Sequence, residues 1–131
     1  MKLSSRKALP RRDELLRERA QASLLRSAFP HVGQLRIELT FSDTRALAHS
    51  PQVHTLYPAA PAFFRFPCPC ADCDGDFDLT AAVQSLLTGS PARQRTLSGQ
   101  AVCDGARFRG PADTVCSMQL TFRLASLPAA Q

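Results

Sequence analysis

Residues 68–75 read Cys68-Pro69-Cys70-Ala71-Asp72-Cys73-Asp74-Gly75. Three of the chain's five cysteines fall within six residues here, in turn-forming sequence. A cysteine in a core behaves as a small apolar residue, and three crowded into one turn argue for a different use. Cys70-Ala71-Asp72-Cys73 has the two-residue spacing that lets both sulfurs face one ion from a tight turn. Gly75 follows where such a turn needs a residue tolerant of positive φ. The other cysteines are Cys103 and Cys116. Cys103-Asp104-Gly105 repeats the Cys-x-Gly half of the turn, and Cys116 lies at the start of the last apolar run. If the strands carrying them pair, the twelve residues between return the chain to the same end. Four sulfurs then converge on one tetrahedral Zn²⁺. One cysteine is surplus: Cys70 with Cys73 makes the tighter loop and Cys68 with Cys73 the wider, and spacing leaves both open.

In these residues the chain resembles the zinc-ribbon group of small domains. Cys70-Ala71-Asp72-Cys73-Asp74-Gly75 matches a ribbon knuckle, Cys103-Asp104-Gly105 matches it in part, and Pro69 after Cys68 is ribbon-like. The resemblance covers the knuckle and the hairpin, not the whole chain. A ribbon's second knuckle is another Cys-x-x-Cys, whereas here it is split between Cys103 and Cys116. The resemblance implies a structural metal and a role in binding nucleic acid or protein.

Working outward, Ala62–Cys68 reads as a short aromatic strand with Phe64, Phe66 and Cys68 on one face. Asp78–Thr88 reads as a helix: Asp78 suits its N-cap, Leu79, Val83, Leu86 and Leu87 form its apolar face, and Gly89 marks the stop. Alternation predicts strands at Leu35–Phe41, Thr96–Cys103 and Val115–Leu124. The last is the longest of these and is placed centrally. Residues 43–61, with Pro51, Pro58 and Pro61, read as an irregular connection. Residues 11–28 read as a helix whose stripe is Leu16, Ala20 and Leu24, joined by Leu25 and Phe29; Pro30 ends it. The expected fold class is α+β: a small antiparallel sheet with two helices, stabilised by a cysteine zinc site. The expected division is a basic arm and helix over 1–30 and a zinc-binding domain over 31–131.

The chain has 131 residues and a net charge of +5. That is one domain's length. The charge is localised, because residues 1–30 hold eight basic and three acidic side chains while the remaining 101 residues hold eight of each. A basic arm attracts phosphates or an acidic protein surface. Candidate partner-binding residues are Arg11, Arg12, Arg17 and Arg19, with Arg107, Phe108 and Arg109 near the cysteines. In that triplet Phe108 can stack on a base while the arginines meet phosphate. The alternative is a protein-interaction or self-association module acting through the first helix. No apolar run is long enough for a membrane span, and residues 1–30 lack the apolar core of a signal peptide. A cytoplasmic protein is expected, where cysteines stay reduced.

Enzymatic readings fare less well. Pro69-Cys70-Ala71-Asp72-Cys73 matches half of a nucleobase-deaminase signature, but that chemistry needs His-x-Glu. Residues Gly33, Pro51 and Leu56 stand two beyond His31, His49 and His54, and none is Glu. Asp72, Asp74, Asp76 and Asp78 alternate like a calcium loop, yet the glycine and glutamate positions of an EF-hand are wrong. Thiol-redox chemistry at Cys70 and Cys73 needs a βαβ setting that the hairpin pattern does not offer. His49 and His54, as ligands of an open catalytic zinc, remain a weaker alternative to ordinary loop residues.

Overall fold

Strict alternation from Leu35 to Phe41 makes a long strand with one apolar face, and it organises the molecule. In the computed structural model, residues 8–42, 51–70, 73–88, 95–103, 116 and 118–129 are described. The elements are α1 (Ala8–Gln21), α2 (Leu25–Ala28), β1 (Val32–Ser42), β2 (Gln52–Leu56), β3 (Arg65–Pro67), β4 (Asp76–Asp78), α3 (Thr80–Leu87), β5 (Arg95–Val102) and β6 (Gln119–Pro128). A four-stranded antiparallel sheet has the order β2-β1-β6-β5, and β3 and β4 form a separate two-stranded sheet. The α+β class is as the sequence indicates. Among the described residues no helix is long and apolar enough to cross a membrane.

The core lies on one face of the large sheet. Leu35, Ile37, Leu39 and Phe41 of β1 join Leu120, Phe122 and Leu124 of β6 there. Val83, Leu86 and Leu87 of α3, Leu25 of α2, and Phe64 and Phe77 of the small-sheet region complete the same cluster. The Phe41 and Phe77 rings meet at 5.6 Å between centroids. Each such buried side chain contributes about 1.5–3 kcal/mol relative to exposure. On the other face Arg36, Thr40, Thr121 and Arg123 are exposed.

β6 is central, as expected, although β1 exceeds it by one residue. It runs from Gln119 to Pro128 rather than from Val115 to Leu124. Its expected start at Val115 lies outside the described residues, and just ahead of Gln119 the Met118 carbonyl accepts the Cys103 N–H at 2.9 Å, next to the cysteine cluster. Its end is extended because Ala125 and Ser126 pair with both β1 and β5.

Three expectations are corrected. The first helix is two: α1 ends at Gln21, and the N–H groups of Leu25 and Arg26 donate to the Ala60 and Pro58 carbonyls, while the Ala62 N–H donates to Ser23 O. This remote pairing interrupts the helix and shifts its phase. Leu15 is buried on α1, and Leu16 is 62% exposed. Of the expected irregular connection over 43–61, residues 43–50 lie outside the described residues, and within 51–61 β2 forms and pairs with β1. Pro51 and Pro58 bracket this edge strand rather than interrupt it. Asp78 belongs to β4, and α3 starts at Thr80; Asp78 Oδ1 still accepts the Thr80 N–H at 2.9 Å.

Gly33 sits at a register shift between β1 and β6. A Cβ there would lie 2.6 Å from the Pro128 carbonyl oxygen and 2.9 Å from Ala129 Cα. These obstacles are backbone and cannot rotate away. Gly33→Ala is therefore expected to destabilise the protein by about 1–3 kcal/mol, measured as a lower urea midpoint with an unchanged slope.

Candidate metal centre

The ends of two hairpins supply the cysteines. Cys68 follows β3 and Cys73 precedes β4, so these two bracket one connection. Cys103 follows β5 and Cys116 precedes β6, bracketing the other. The first connection is closed by the Cys68 N–H, which donates to Gly75 O at 3.0 Å. Inside it the Cys73 N–H donates to Cys70 O at 3.3 Å, which makes the tight turn. The Gly75 N–H donates to Cys73 Sγ at 3.3 Å, a contact that stabilises a thiolate. The second hairpin is extended past its last regular pair by the Cys103-to-Met118 bond.

The Sγ atoms of Cys68, Cys73, Cys103 and Cys116 all lie within 4.8 Å of one another, and all four residues are buried. Cys68 and Cys116 sulfurs are 3.7 Å apart, and Cys73 and Cys103 sulfurs 3.5 Å. A disulfide would need about 2.05 Å, and none of the five cysteines is in one. A tetrahedron with metal–sulfur bonds of about 2.3 Å has sulfur–sulfur edges of about 3.8 Å. These two separations are close to that edge. These four residues can hold a metal ion.

Cys70 lies outside this group of four. It is half-buried, with its sulfur 3.9 Å from that of Cys116. Its carbonyl also accepts a hydrogen bond from Arg12 Nη2 at 2.8 Å, and the same nitrogen donates to Cys68 O at 3.1 Å. One α1 side chain therefore clamps the turn from Cys68 to Cys70. Arg65 adds a second tie: its Nε meets Asp76 Oδ2 at 3.0 Å on β4, and its Nη1 meets Glu18 Oε1 of α1 at 2.5 Å. Neither role is visible in the sequence, because both partners are distant along the chain.

The candidate binding residues are dispersed. Arg17 and Arg19 are exposed on α1. Arg11 is on α1, and its side chain lies outside what is described, as do Arg107, Phe108 and Arg109. His49 is also outside the described residues. His54 is on β2, with its ring 5.0 Å from the Phe66 ring and Nε2 3.3 Å from Gln52 Oε1. It is not part of the four-sulfur group. Burial, and secondarily the charge of Arg19, lowers its pKa. Compared with protein-family models, curated proteins and solved structures, the chain matches none.

Without an ion, two of the cluster's thiols are held in the protonated form. The Cys103 thiol and burial push the Cys68 thiol well above its ordinary range. Burial, opposed by the Gly75 N–H, pushes Cys73 up to about 12. A pKa raised by folding gives stability that is complete below the unfolded thiol value of about 8.5 and is lost as pH rises through the folded one. The folded fraction of metal-free protein, followed by circular dichroism, is therefore expected to fall as pH rises from about 8.5 towards 12. A metal-loaded sample, whose thiolates are already ionised, should stay level over that interval.

Proposed function

We propose that Cys68, Cys73, Cys103 and Cys116 hold one structural Zn²⁺, and that the chain is a non-enzymatic zinc-stabilised module that binds an acidic partner. The observation that carries this reading is the convergence of four buried sulfurs from two hairpin ends. Four thiolates fill a tetrahedral zinc and leave no open position for substrate or water, which is the pattern of structural rather than catalytic sites. Sulfur pairs at the ends of two hairpins also support the likeness to zinc ribbons. Cys70 is the surplus cysteine in this reading.

The acidic-partner part rests on α1. Arg17 and Arg19 are exposed there, and Arg26 is exposed on α2. Leu16 is exposed beside the first two, so the helix offers a mixed apolar and cationic face. Such a face suits an acidic protein surface better than single-stranded nucleic acid, whose bases are held on aromatic stacking platforms.

Structural zinc contributes about 10–16 kcal/mol of apparent binding energy, against about 5–15 kcal/mol for the stability of a whole domain. Native mass spectrometry of untagged protein is expected to show one zinc per chain. Cys68→Ser and Cys73→Ser should lose it, and Cys70→Ser should keep it. Complete zinc removal should lower the melting temperature sharply; an unchanged melting curve and circular dichroism spectrum would overturn the structural role.

Partner binding is tested with poly-L-glutamate and a mixed-sequence single-stranded RNA at low salt. Poly-L-glutamate should bind, weaken steeply as salt rises, and bind several-fold less tightly to Arg17→Glu. Binding to neither polyanion removes this part of the proposal, and tighter binding of RNA transfers it to nucleic acid.

A further inference from the structure

The inner side of α1 roofs a hollow of about 310 Å³ between that helix, β2 and β3. Its volume is at the lower end of the range for small-molecule sites. Leu15, Leu56, Phe63 and Phe66 give it an apolar lining. Arg12 and Arg19, seven residues apart and hence on one side of the helix, stand on its wall with Leu16 between them.

The charges around this hollow are unequal in their partners. Arg65, also on the wall, is neutralised by Glu18 and Asp76. Arg12 meets two backbone carbonyls, which orient the guanidinium but leave its charge standing. Among the described residues, no carboxylate forms an ion pair with Arg12 or Arg19. His54 lies on the wall as well, and burial and Arg19 favour its neutral form. The result, among the described residues, is an apolar hollow with two cations that have no ion-pair partner at its side, next to Arg65, whose charge Asp76, Glu18 and Asp78 offset.

We infer that this hollow is a binding site for a small amphipathic anion, an apolar body carrying a carboxylate or a similar single-headed acid. The apolar body lies against Leu15, Leu56, Phe63 and Phe66, where its burial from water favours binding. The head group meets Arg19, whose guanidinium can engage a carboxylate in a bidentate geometry. Arg12 adds long-range attraction from a fixed position. A neutral apolar molecule would leave both cations without a counter-charge, and a cationic one would be repelled. This site is distinct from the metal centre; it shares Leu16 and Arg19 with the α1 face proposed for an acidic partner and differs from it in taking a small molecule into the hollow.

Octanoate is the probe, with octanol and octylamine as chain-matched neutral and cationic controls, on full-length metal-loaded protein. Binding is followed by isothermal titration and by amide shifts in two-dimensional NMR. Octanoate is expected to saturate within a few millimolar, a range worth about 4 kcal/mol, and to shift Leu15, His54 and Phe66. Octanol should bind several-fold more weakly and octylamine not at all. Arg19→Glu should weaken octanoate binding about tenfold, and Leu16→Asp should do likewise. Both residues are exposed on α1, so both variants should keep the wild-type circular dichroism spectrum. The inference is overturned by octanoate that does not saturate, by octylamine that binds equally, or by unchanged affinity in both variants. Arg17→Glu, which points the same charge change away from the hollow, should leave octanoate affinity within twofold; a tenfold loss there would reduce the effect to general surface charge and overturn the site.

Discussion

Four sulfurs held in one buried space force two hairpins to end at the same point. The β3–β4 connection brings Cys68 and Cys73, and the β5–β6 connection brings Cys103 and Cys116. Sulfurs at 3.5–3.7 Å make only weak hydrogen bonds to one another, whereas a shared metal ion would bind each of them directly. Burial and crowding favour the protonated form of Cys68 and Cys73 in the absence of an ion. The small sheet is only three residues per strand, and a two-stranded pair of that length is marginal alone. Its attachment to the large sheet therefore depends on Phe64 and Phe77 in the core and on the cysteine cluster at its end.

The helix α1 is bound to this arrangement by polar contacts as well as by Leu15. Arg12 reads the carbonyls of Cys68 and Cys70, and Glu18 reaches Arg65, which in turn holds Asp76. Arg65 is mostly shielded and Asp76 more so, while Glu18 is nearly half exposed. The Asp76 contact is thus the more protected of the two, and the Glu18 contact is more open to screening by salt. Because Arg12 grips the turn itself, the position of the helix depends on the cysteine loop keeping its shape.

That cysteines would converge was legible in the sequence because three of them fall within six residues, although the Cys70-x-x-Cys73 pair is not the one the structure brings into the group of four. The choice between Cys68 and Cys70 was not legible. Both are within reach of Cys73, and what separates them is a backbone bond from Cys68 to Gly75 with the strand pairing behind it. Alternation located β1 and β5 closely. It could not show β2, three of whose five residues are exposed and which lies at a sheet edge. The helix phase was lost for a related reason: Leu15 and Leu16 are equivalent in any local pattern, and the break that selects Leu15 comes from carbonyls more than thirty residues away.

The same long-range contacts connect the metal centre to the hollow under α1. Pro67 and Phe66 of β3 line the hollow, and Cys68 follows them directly. Arg12 is at once a wall of the hollow and the clamp on the Cys68–Cys70 turn. If the cysteine loop loosened, Arg12 would lose both carbonyl partners, and β3 would lose the anchor at its end. The apolar wall and one of the two uncompensated cations would then shift together. A structural ion at the four sulfurs would thus do more than add stability: it would hold one side of the hollow in register with α1, with β2 forming the other side through its pairing to β1.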